Sequence, residues 1–298
     1  MIQQLSIISP DTHLYPVFSI TYQSSKVAVK AIPVSDKKGS FQNERVVFGL
    51  KSHPNILKCI EIVEDCQLEL GDSRQEQYNL LILPFAPNGD LMSCIEKTRL
   101  SEEIARYYFG QMLDALDHLH TNGLAHRDIK LENVLLDENY NLVLTDFGFA
   151  VKHSDLNGPL LFSEKTTPSI CPPEFYLSTC YKAIDMDMFA LGKLLLTLIA
   201  GFPPFFEARE SDKYYSPIAK GQWDIFWKRI RHWMRKACIK DKEITPECKS
   251  LIEGLLNPDP NARFGIKEVR ESLWFQHTKV KNLEDIQRFL QRAGVLSS

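Results

Sequence analysis

Residues 126–148, HRDIKLENVLLDENYNLVLTDFG, hold two short apolar runs, 134–136 and 142–144, on either side of the turn-forming residues DENYN. Two such runs around a polar turn predict an antiparallel hairpin. If residue 136 pairs with residue 142, the open end of the hairpin places Asn133 beside Asp146. Amide and carboxylate oxygens are ligands that suit Mg²⁺. The stretch therefore predicts a magnesium site formed by Asn133 and Asp146.

A third carboxylate, Asp128, lies five residues before Asn133, and Lys130 stands between them. The group would then combine a base, a cation and two metal ligands. On these residues alone a plainer alternative stays open. Asn133 and Asp146 are also residue types that commonly flank the turn of a hairpin.

The chain before this stretch is rich in strand patterns. Residues 27–32 and 78–83 are apolar or β-branched runs that predict strands, and residues 41–51 predict a short helix between them. The polar residues 64–77 predict a loop. A Pro/Gly/Asn stretch at residues 84–89 then marks a change of texture.

The chain after residue 90 is rich in helix patterns. Residues 101–120 carry apolar side chains three or four apart, which predicts a helix that Asn122 and Gly123 end. Further helices are predicted around residues 184–200, 223–237, 247–256 and 266–273. The expected fold class is α+β, with a small β-rich lobe followed by a larger helical lobe.

The composition is that of an ordinary globular protein of 298 residues, with 44% hydrophobic and 24% charged residues and a net charge of −3. This charge predicts neither a nucleic-acid partner nor a membrane partner. The seven cysteines include no C-x-x-C pair, which indicates reduced thiols. The N-terminal segment has no basic region of a signal peptide, and the most apolar run, residues 189–202, is too short to span a bilayer. We expect an intracellular, cytoplasmic protein.

The order of motifs along the chain resembles that of the eukaryotic protein kinases. HRDIKLEN followed by DFG is similar to their catalytic core. Five further segments resemble other kinase motifs at the spacing of that family: Val27–Lys30, Glu44 ahead of Pro54, Thr166–Glu174, Asp187–Gly192 and Asn257–Arg263. A lysine two residues after Asp128, here Lys130, resembles the serine/threonine branch of the family rather than the tyrosine branch. Residues 196–206 and 251–275 loosely resemble the calcium/calmodulin-dependent group.

The resemblance implies a bilobal kinase domain over residues 1–275. It implies an N-lobe at about 1–83, a hinge at about 84–89 and a C-lobe at about 90–275. Residues 276–298 would be a short C-terminal tail. The implied activity is transfer of the γ-phosphate of ATP to serine and threonine hydroxyls of protein substrates, with Mg²⁺ as cofactor.

The resemblance also implies a role for each site residue. Lys30 would hold the phosphates, oriented by Glu44, while Asp128 would act on the substrate hydroxyl and Lys130 would neutralise the γ-phosphate. Asn133 and Asp146 would bind Mg²⁺. The nucleotide would contact Ala28, Leu83, Pro84, Ala86, Asp90 and Leu135. Thr167 of the substrate loop would contact Asp128 and Lys130.

Two regulatory or specificity features are implied as well. Ser163, with Thr166 as the second choice, would receive a phosphate from an upstream activating kinase, and that phosphate would pair with Arg127. A carboxylate at the place of Glu132 often accompanies, in this family, a preference for basic residues N-terminal to the acceptor.

The glycine-rich loop of the family is missing. Alignment on Val17 puts Pro10, Thr12 and Tyr15 at the glycine places, and no glycine occurs before Gly39. Glycines allow backbone N–H groups to approach phosphates closely. Their absence leaves a second function open, a pseudokinase or scaffold module with weakened nucleotide binding. The enzyme is favoured because all six polar residues of the expected site stand at the expected spacings: Lys30, Glu44, Asp128, Lys130, Asn133 and Asp146.

Overall fold

The computed structural model describes residues 6–9, 15–68, 76–97, 100–152, 160–161, 167–177, 180–236, 244–276 and 283–292. The first lobe is built on five strands and one helix, α1 (Ser40–Phe48). The strands are β1 (Ser6–Ser9), β2 (Val17–Tyr22), β3 (Ser25–Pro33), β4 (Glu61–Leu68) and β5 (Glu76–Pro84). They form one antiparallel sheet in the order β1-β2-β3-β5-β4.

The alternation of side chains along β3 and β5 determines which residues face the cleft. Val27, Val29 and Ala31 pack in one apolar cluster, whereas Ile32 packs in a second cluster with Phe41 of α1. Lys30 has the same parity as Ile32, so the strand presents its ammonium group on the α1 side of the sheet.

The second lobe is helical. Its longest helices are α3 (Glu102–Thr121) and α5 (Ala183–Ala200), and every residue from Met186 to Ala200 is buried. A Cβ at Gly192 would lie 2.6 Å from the Cβ of Leu255, so only glycine lets α5 approach the helix that carries Leu255 so closely.

The remaining elements complete this lobe. The helices are α2 (Leu91–Lys97), α4 (Pro173–Leu177), α6 (Ser216–Ala219), α7 (Trp223–Lys236), α8 (Pro246–Leu255), α9 (Ile266–Glu271), α10 (Leu273–Gln276) and α11 (Leu283–Arg292). The strands are β6 (Leu124–Ala125), β7 (Val134–Leu136), β8 (Leu142–Leu144), β9 (Val151–Lys152), β10 (Leu160–Leu161) and β11 (Cys180–Tyr181). The predicted α+β fold with a β-rich first lobe and a helical second lobe is confirmed.

The prediction of a loop over residues 64–77 is wrong at both ends. Strand β4 continues to Leu68 and β5 begins at Glu76. β4 is an edge strand with largely exposed side chains, so polar residues are tolerated there and the apolar alternation that signals a strand is weak.

Helix α11, beyond residue 275, packs on the helical lobe. Its residues Ile286 and Leu290 are buried in the main apolar cluster of that lobe.

Among the described residues, no helix combines the length and the apolar character that crossing a bilayer would require.

Candidate active site

The hairpin pairs in the register expected from its sequence. Val134 lies opposite Leu144 and Leu136 opposite Leu142, and the N–H of Thr145 donates to the carbonyl of Asn133 at 3.0 Å. The open end of β7 and β8 therefore places Asn133 next to the residue that precedes Asp146. This is the proximity that the short apolar runs predicted.

The side chain of Asn133 is oriented by Asp128. Its Nδ2 donates to the backbone carbonyl of Asp128 at 2.9 Å and to the carboxylate Oδ2 at 2.7 Å. Because both acceptors lie on one side, the amide oxygen points away from them. Asn133 is fully buried, and its Oδ1 has no hydrogen-bond partner among the described residues. A buried acceptor without a partner costs free energy, and a bound cation would satisfy it.

Asp128 is only 1% exposed, and its carboxylate contacts several polar side chains. Its Oδ1 accepts a hydrogen bond from the hydroxyl of Thr167 at 2.6 Å, and its Oδ2 lies 2.9 Å from Nζ of Lys130. Nζ of Lys130 also lies 3.4 Å from the Thr167 hydroxyl. A side-chain hydroxyl thus lies between a carboxylate and an ammonium group, as the hydroxyl of a substrate would.

Lys30 lies between two carboxylates. Its Nζ is 2.6 Å from Oε1 of Glu44 and 2.7 Å from Oδ1 of Asp146. Burial lowers the pKa of Lys30, but the charges of Asp146 and Glu44 outweigh this effect and raise its pKa above the ordinary value. Burial raises the pKa of Glu44, and the charge of Lys30 offsets part of that rise. With both carboxylates ionised, the trio carries a net charge of −1, which favours a further cation beside it.

A matched family profile decides the family of this chain. The profile of the protein kinase domain matches residues 17–275. The chain belongs to the protein kinase family. One curated relative is the CBL-interacting serine/threonine-protein kinase 20 of Arabidopsis thaliana, which is 32% identical over 255 residues, 83% of this chain and 52% of the relative.

A second relative is the CBL-interacting protein kinase 26 of Oryza sativa subsp. japonica. It is 30% identical over 242 residues, which cover 81% of this chain and 44% of the relative. The kinase domain thus spans about half the length of the curated relatives it matches.

A buried aspartate, Asp187, holds the backbone of the loop at residues 126 and 127. The carboxylate of Asp187, on α5, accepts the backbone N–H of His126 at 2.9 Å and that of Arg127 at 2.7 Å. It also lies 2.9 Å from Nε2 of His120. Arg127 has φ of 65°, a left-handed conformation that is strained for a non-glycine residue and needs such support. An aspartate that starts an otherwise apolar helix was the available signal.

Replacement of Asp187 by alanine is expected to loosen the catalytic loop. Two buried backbone N–H groups would lose their acceptor, at about 1–3 kcal/mol each, and Arg127 would leave its strained conformation. We expect a clear fall in melting temperature together with a loss of turnover, measured by thermal unfolding and by amide hydrogen exchange at residues 126 and 127.

The matched control for this variant is Asp224→Ala, because Asp224 is an exposed aspartate in the first turn of α7. Unchanged exchange at residues 126 and 127 in Asp187→Ala would contradict the positioning role.

The expected nucleotide-contacting residues lie along one side of the cleft. Ala28 lies opposite Leu83 across β3 and β5, and Leu135 packs in the same apolar cluster. Leu83 is buried, while Pro84 is exposed and Ala86 is half-buried in the linker that follows β5. The structure thus brings the apolar members together at the linker.

Asp90 lies at the start of α2 rather than free in the cleft. Its two carboxylate oxygens accept the backbone N–H of Ser93 at 2.7 Å and the hydroxyl of Ser93 at 2.8 Å. Asp90 therefore caps α2 in this structure, and a ribose would have to share these oxygens with Ser93.

The substrate loop is anchored to the helical lobe by one ion pair. The guanidinium group of Arg263 binds both oxygens of Glu174, at 2.6 and 2.8 Å. It also donates to the backbone carbonyls of Asp185 and Asn257. Both partners are largely buried, and the bidentate geometry fixes the end of the loop that begins at Thr167.

An aromatic side chain occupies one of the expected glycine places. Tyr15 is 8% exposed, and its hydroxyl lies 3.2 Å from Oγ of Ser40 at the start of α1. Burial raises its pKa to about 12, so its phenol is neutral at physiological pH. Its ring centroid lies 6.0 Å from Nζ of Lys30. This expected glycine place is therefore tied to α1 and lies beside Lys30.

Four of the predicted positions lie outside the described residues. These are the lid positions Pro10 and Thr12 and the expected phosphorylation sites Ser163 and Thr166. The side chain of Arg127, the expected partner of such a phosphate, donates to the hydroxyl of Tyr181 at 2.7 Å.

Proposed function

We propose that this chain is a serine/threonine protein kinase that transfers the γ-phosphate of ATP to protein hydroxyls. The observation that carries the proposal is a series of short contacts among the polar site residues: Lys30 lies 2.7 Å from Asp146, Asn133 donates to Asp128 at 2.7 Å, and the N–H of Thr145, the neighbour of Asp146, donates to the carbonyl of Asn133. A scaffold would not need a buried base, a buried cation and an unpartnered buried amide oxygen together.

The residues present fit a magnesium ion. Oδ1 of Asn133 is buried without a hydrogen-bond partner in the described part of the chain, and the trio of Lys30, Glu44 and Asp146 has one excess negative charge when both carboxylates are ionised. Asn133 and Asp146 would hold the ion through oxygen ligands. When bound, Mg²⁺ would supply charge neutralisation for the phosphates.

The chain's own residues would then divide the work between orientation and proton transfer. Lys30, held by Glu44, binds the phosphates of ATP. Asp128 accepts the proton of the substrate hydroxyl, and the Thr167 hydroxyl at 2.6 Å from its Oδ1 indicates where a hydroxyl binds. Lys130 neutralises charge on the transferred group. Ala28, Leu83 and Leu135 would enclose the adenine, and the backbone of Pro84 and Ala86 would hydrogen-bond its edge.

The substrates proposed here are proteins with serine or threonine acceptors. An upstream kinase acting at Ser163 or Thr166 is proposed as the activating partner, on the strength of spacing alone. We further propose a cytoplasmic location, which is supported by the reduced thiols of Cys59, Cys66 and Cys248 among the described residues.

The deciding experiment is a transfer assay with labelled ATP and a generic basic protein. We expect phosphate on serine and threonine but not on tyrosine, and complete loss of transfer when EDTA removes Mg²⁺. ATP and Mg²⁺ together are expected to raise the melting temperature. Transfer that persists in EDTA would contradict the assignment of Asn133 and Asp146.

The alternative function, a pseudokinase or scaffold, is distinguished by the same experiment. Tyr15 beside Lys30 and the absent glycines are the features that would weaken nucleotide binding. A rise in melting temperature without transfer, even after treatment with an activating kinase, would indicate a nucleotide-binding module. Neither transfer nor a rise would leave only a scaffold.

A further inference from the structure

An apolar groove of about 230 Å³ opens beside the catalytic loop, away from the nucleotide cleft. Several parts of the helical lobe form its walls: α2, the catalytic loop at residues 129–132, the substrate loop at residues 169–170, α5, and the turn at residues 203–206. Its apolar lining includes Met92, Ile129, Ile170, Leu194 and Phe205.

The groove is continuous with the proposed site of transfer. Lys130 lines it and also contacts Asp128 at 2.9 Å. Ser169, which also lines the groove, lies two residues after Thr167, whose hydroxyl is hydrogen-bonded to Asp128. An extended chain advances about 3.3–3.6 Å per residue. A peptide with its hydroxyl at Asp128 therefore brings a side chain a few residues away to this groove.

One buried cation lines the groove and has no part in the proposed transfer. Lys193 is 6% exposed, and its Nζ donates to the backbone carbonyl of Ser169 and to that of Phe206, the latter at 3.2 Å. It lies 4.5 Å from the centroid of the Phe205 ring. Its closest partners are thus carbonyls and a ring face, and no carboxylate of the described residues forms an ion pair with it.

The charge of Lys193 persists at physiological pH. Burial lowers its pKa to about 8, while the more distant carboxylates, including Asp212 and Glu132, raise it. A group with this pKa is still mostly protonated at neutral pH. The groove therefore combines apolar walls with a positive charge that solvent screens poorly.

We propose that this groove is a substrate subsite that binds an apolar side chain near the acceptor, and that Lys193 makes it reject lysine and arginine. The proposal rests on the kinase function proposed above and names its substrate class. A leucine or methionine side chain that enters the groove would only remove apolar surface from water and would give up no hydration of a charge. A guanidinium group would lose its hydration and approach the ammonium group of Lys193.

This proposal reverses the expectation drawn from Glu132. Glu132 also lines the groove, but it is half-buried, so solvent screens its charge more than that of Lys193. An apolar wall with one buried cation selects against basic residues, whereas a lone carboxylate would select for them.

The first measurement uses the wild-type protein and serine peptides that differ at one position within about five residues of the acceptor. At one position, kcat/KM for leucine is expected to exceed that for arginine by about tenfold or more, which is the usual range for a pocket of this kind. Preference for arginine at every such position, or no preference at all, would overturn the proposal.

Variants then assign the preference to Lys193. Lys193→Met keeps an unbranched side chain and removes the charge, so we expect the disfavour of arginine to shrink to about threefold or less while leucine is still accepted. Lys220→Met, an exposed lysine at the end of α6, is the matched control and should retain the wild-type pattern. A wild-type pattern in Lys193→Met would contradict its role.

Glu132→Gln covers the case in which Lys193→Met folds poorly, because Lys193 also joins the substrate loop to the turn at Phe206. We expect Glu132→Gln to keep or sharpen the disfavour of arginine. If leucine is preferred over arginine only in Glu132→Gln and not in the wild-type protein, Glu132 determines the preference of the groove, and the proposal is overturned.

Binding of peptides with alanine at the acceptor position separates this proposal from the kinase function. Their affinity, measured by fluorescence anisotropy, does not depend on phosphate transfer. Tighter binding of the leucine peptide by a chain without transfer would support the groove and contradict the kinase function. Equal or tighter binding of the arginine peptide by a chain that does transfer phosphate would contradict the groove and support the kinase function.

Discussion

Asp128→Asn is expected to lower kcat by about 10³-fold or more while the fold is retained. A positioned general base contributes about 10²–10⁴-fold, and an amide cannot accept the proton of the substrate hydroxyl. The amide oxygen can still accept the hydrogen bonds of Lys130 and Asn133. The Thr167 hydroxyl can turn to accept a bond from the new amide N–H.

The measurement is the steady-state rate of phosphate transfer, with thermal unfolding as the test of folding. We expect the melting temperature and the effect of ATP on it to stay close to those of the wild-type protein. Asp224→Asn, at an exposed position on α7, is the control and should remain active. Turnover within about tenfold of wild type in Asp128→Asn would exclude Asp128 as the base.

Lys30→Met is expected to reduce kcat/KM by about 10²–10³-fold, which is the usual effect of removing one preorganised donor to a developing negative charge. It is also expected to destabilise the protein by roughly 3–5 kcal/mol, because it leaves two carboxylates buried beside each other without their cation. Glu44 and Asp146 both lose the ammonium group that lay 2.6 and 2.7 Å away.

This destabilisation should depend on pH in a defined direction. In the variant, burial and the charge of Asp146 both raise the pKa of Glu44, and the opposing effect of Lys30 is gone. A carboxyl whose pKa is higher in the folded state binds protons preferentially there, so stability is gained as the pH falls and lost as it rises through the raised pKa. The gap in melting temperature to the wild-type protein should narrow at about pH 5 and widen at about pH 8.

Lys58→Met provides the control, because Lys58 is an exposed lysine of the same lobe. It should change neither turnover nor the pH dependence of melting. A constant gap between Lys30→Met and the wild-type protein across this pH range would show that the two carboxylates are not the cause of the destabilisation.

Short-range patterns predicted the parts of the site that lie close together in sequence. The apolar runs of the hairpin and its polar turn were sufficient for the register that places Asn133 near Asp146, because a hairpin closes locally. The loop predicted over residues 64–77 failed where the pattern was weak. The exposed edge strand β4 has polar side chains whose pairing with β5 supplies its stability.

Long-range contacts were beyond such patterns. Lys30 and Glu44 were paired only through the resemblance to a known family, since nothing in a strand and a helix states their distance. Asp187, which holds residues 126 and 127 from near the start of a buried helix, had no motif that stated its contacts. Tyr15 was expected only as a missing glycine, and its bond to Ser40 depends on where α1 packs.

The α+β class, the hairpin, the principal helices and the family could be predicted from periodicity, turn chemistry and ordered motifs along the chain. Packing between distant segments, in contrast, sets which charges share a buried space. It placed Lys30 between Glu44 and Asp146, left Oδ1 of Asn133 without a partner and put Lys193 in the wall of an apolar groove. The physical reason is that electrostatic effects depend on distance and burial, which are set by packing between segments far apart in the chain.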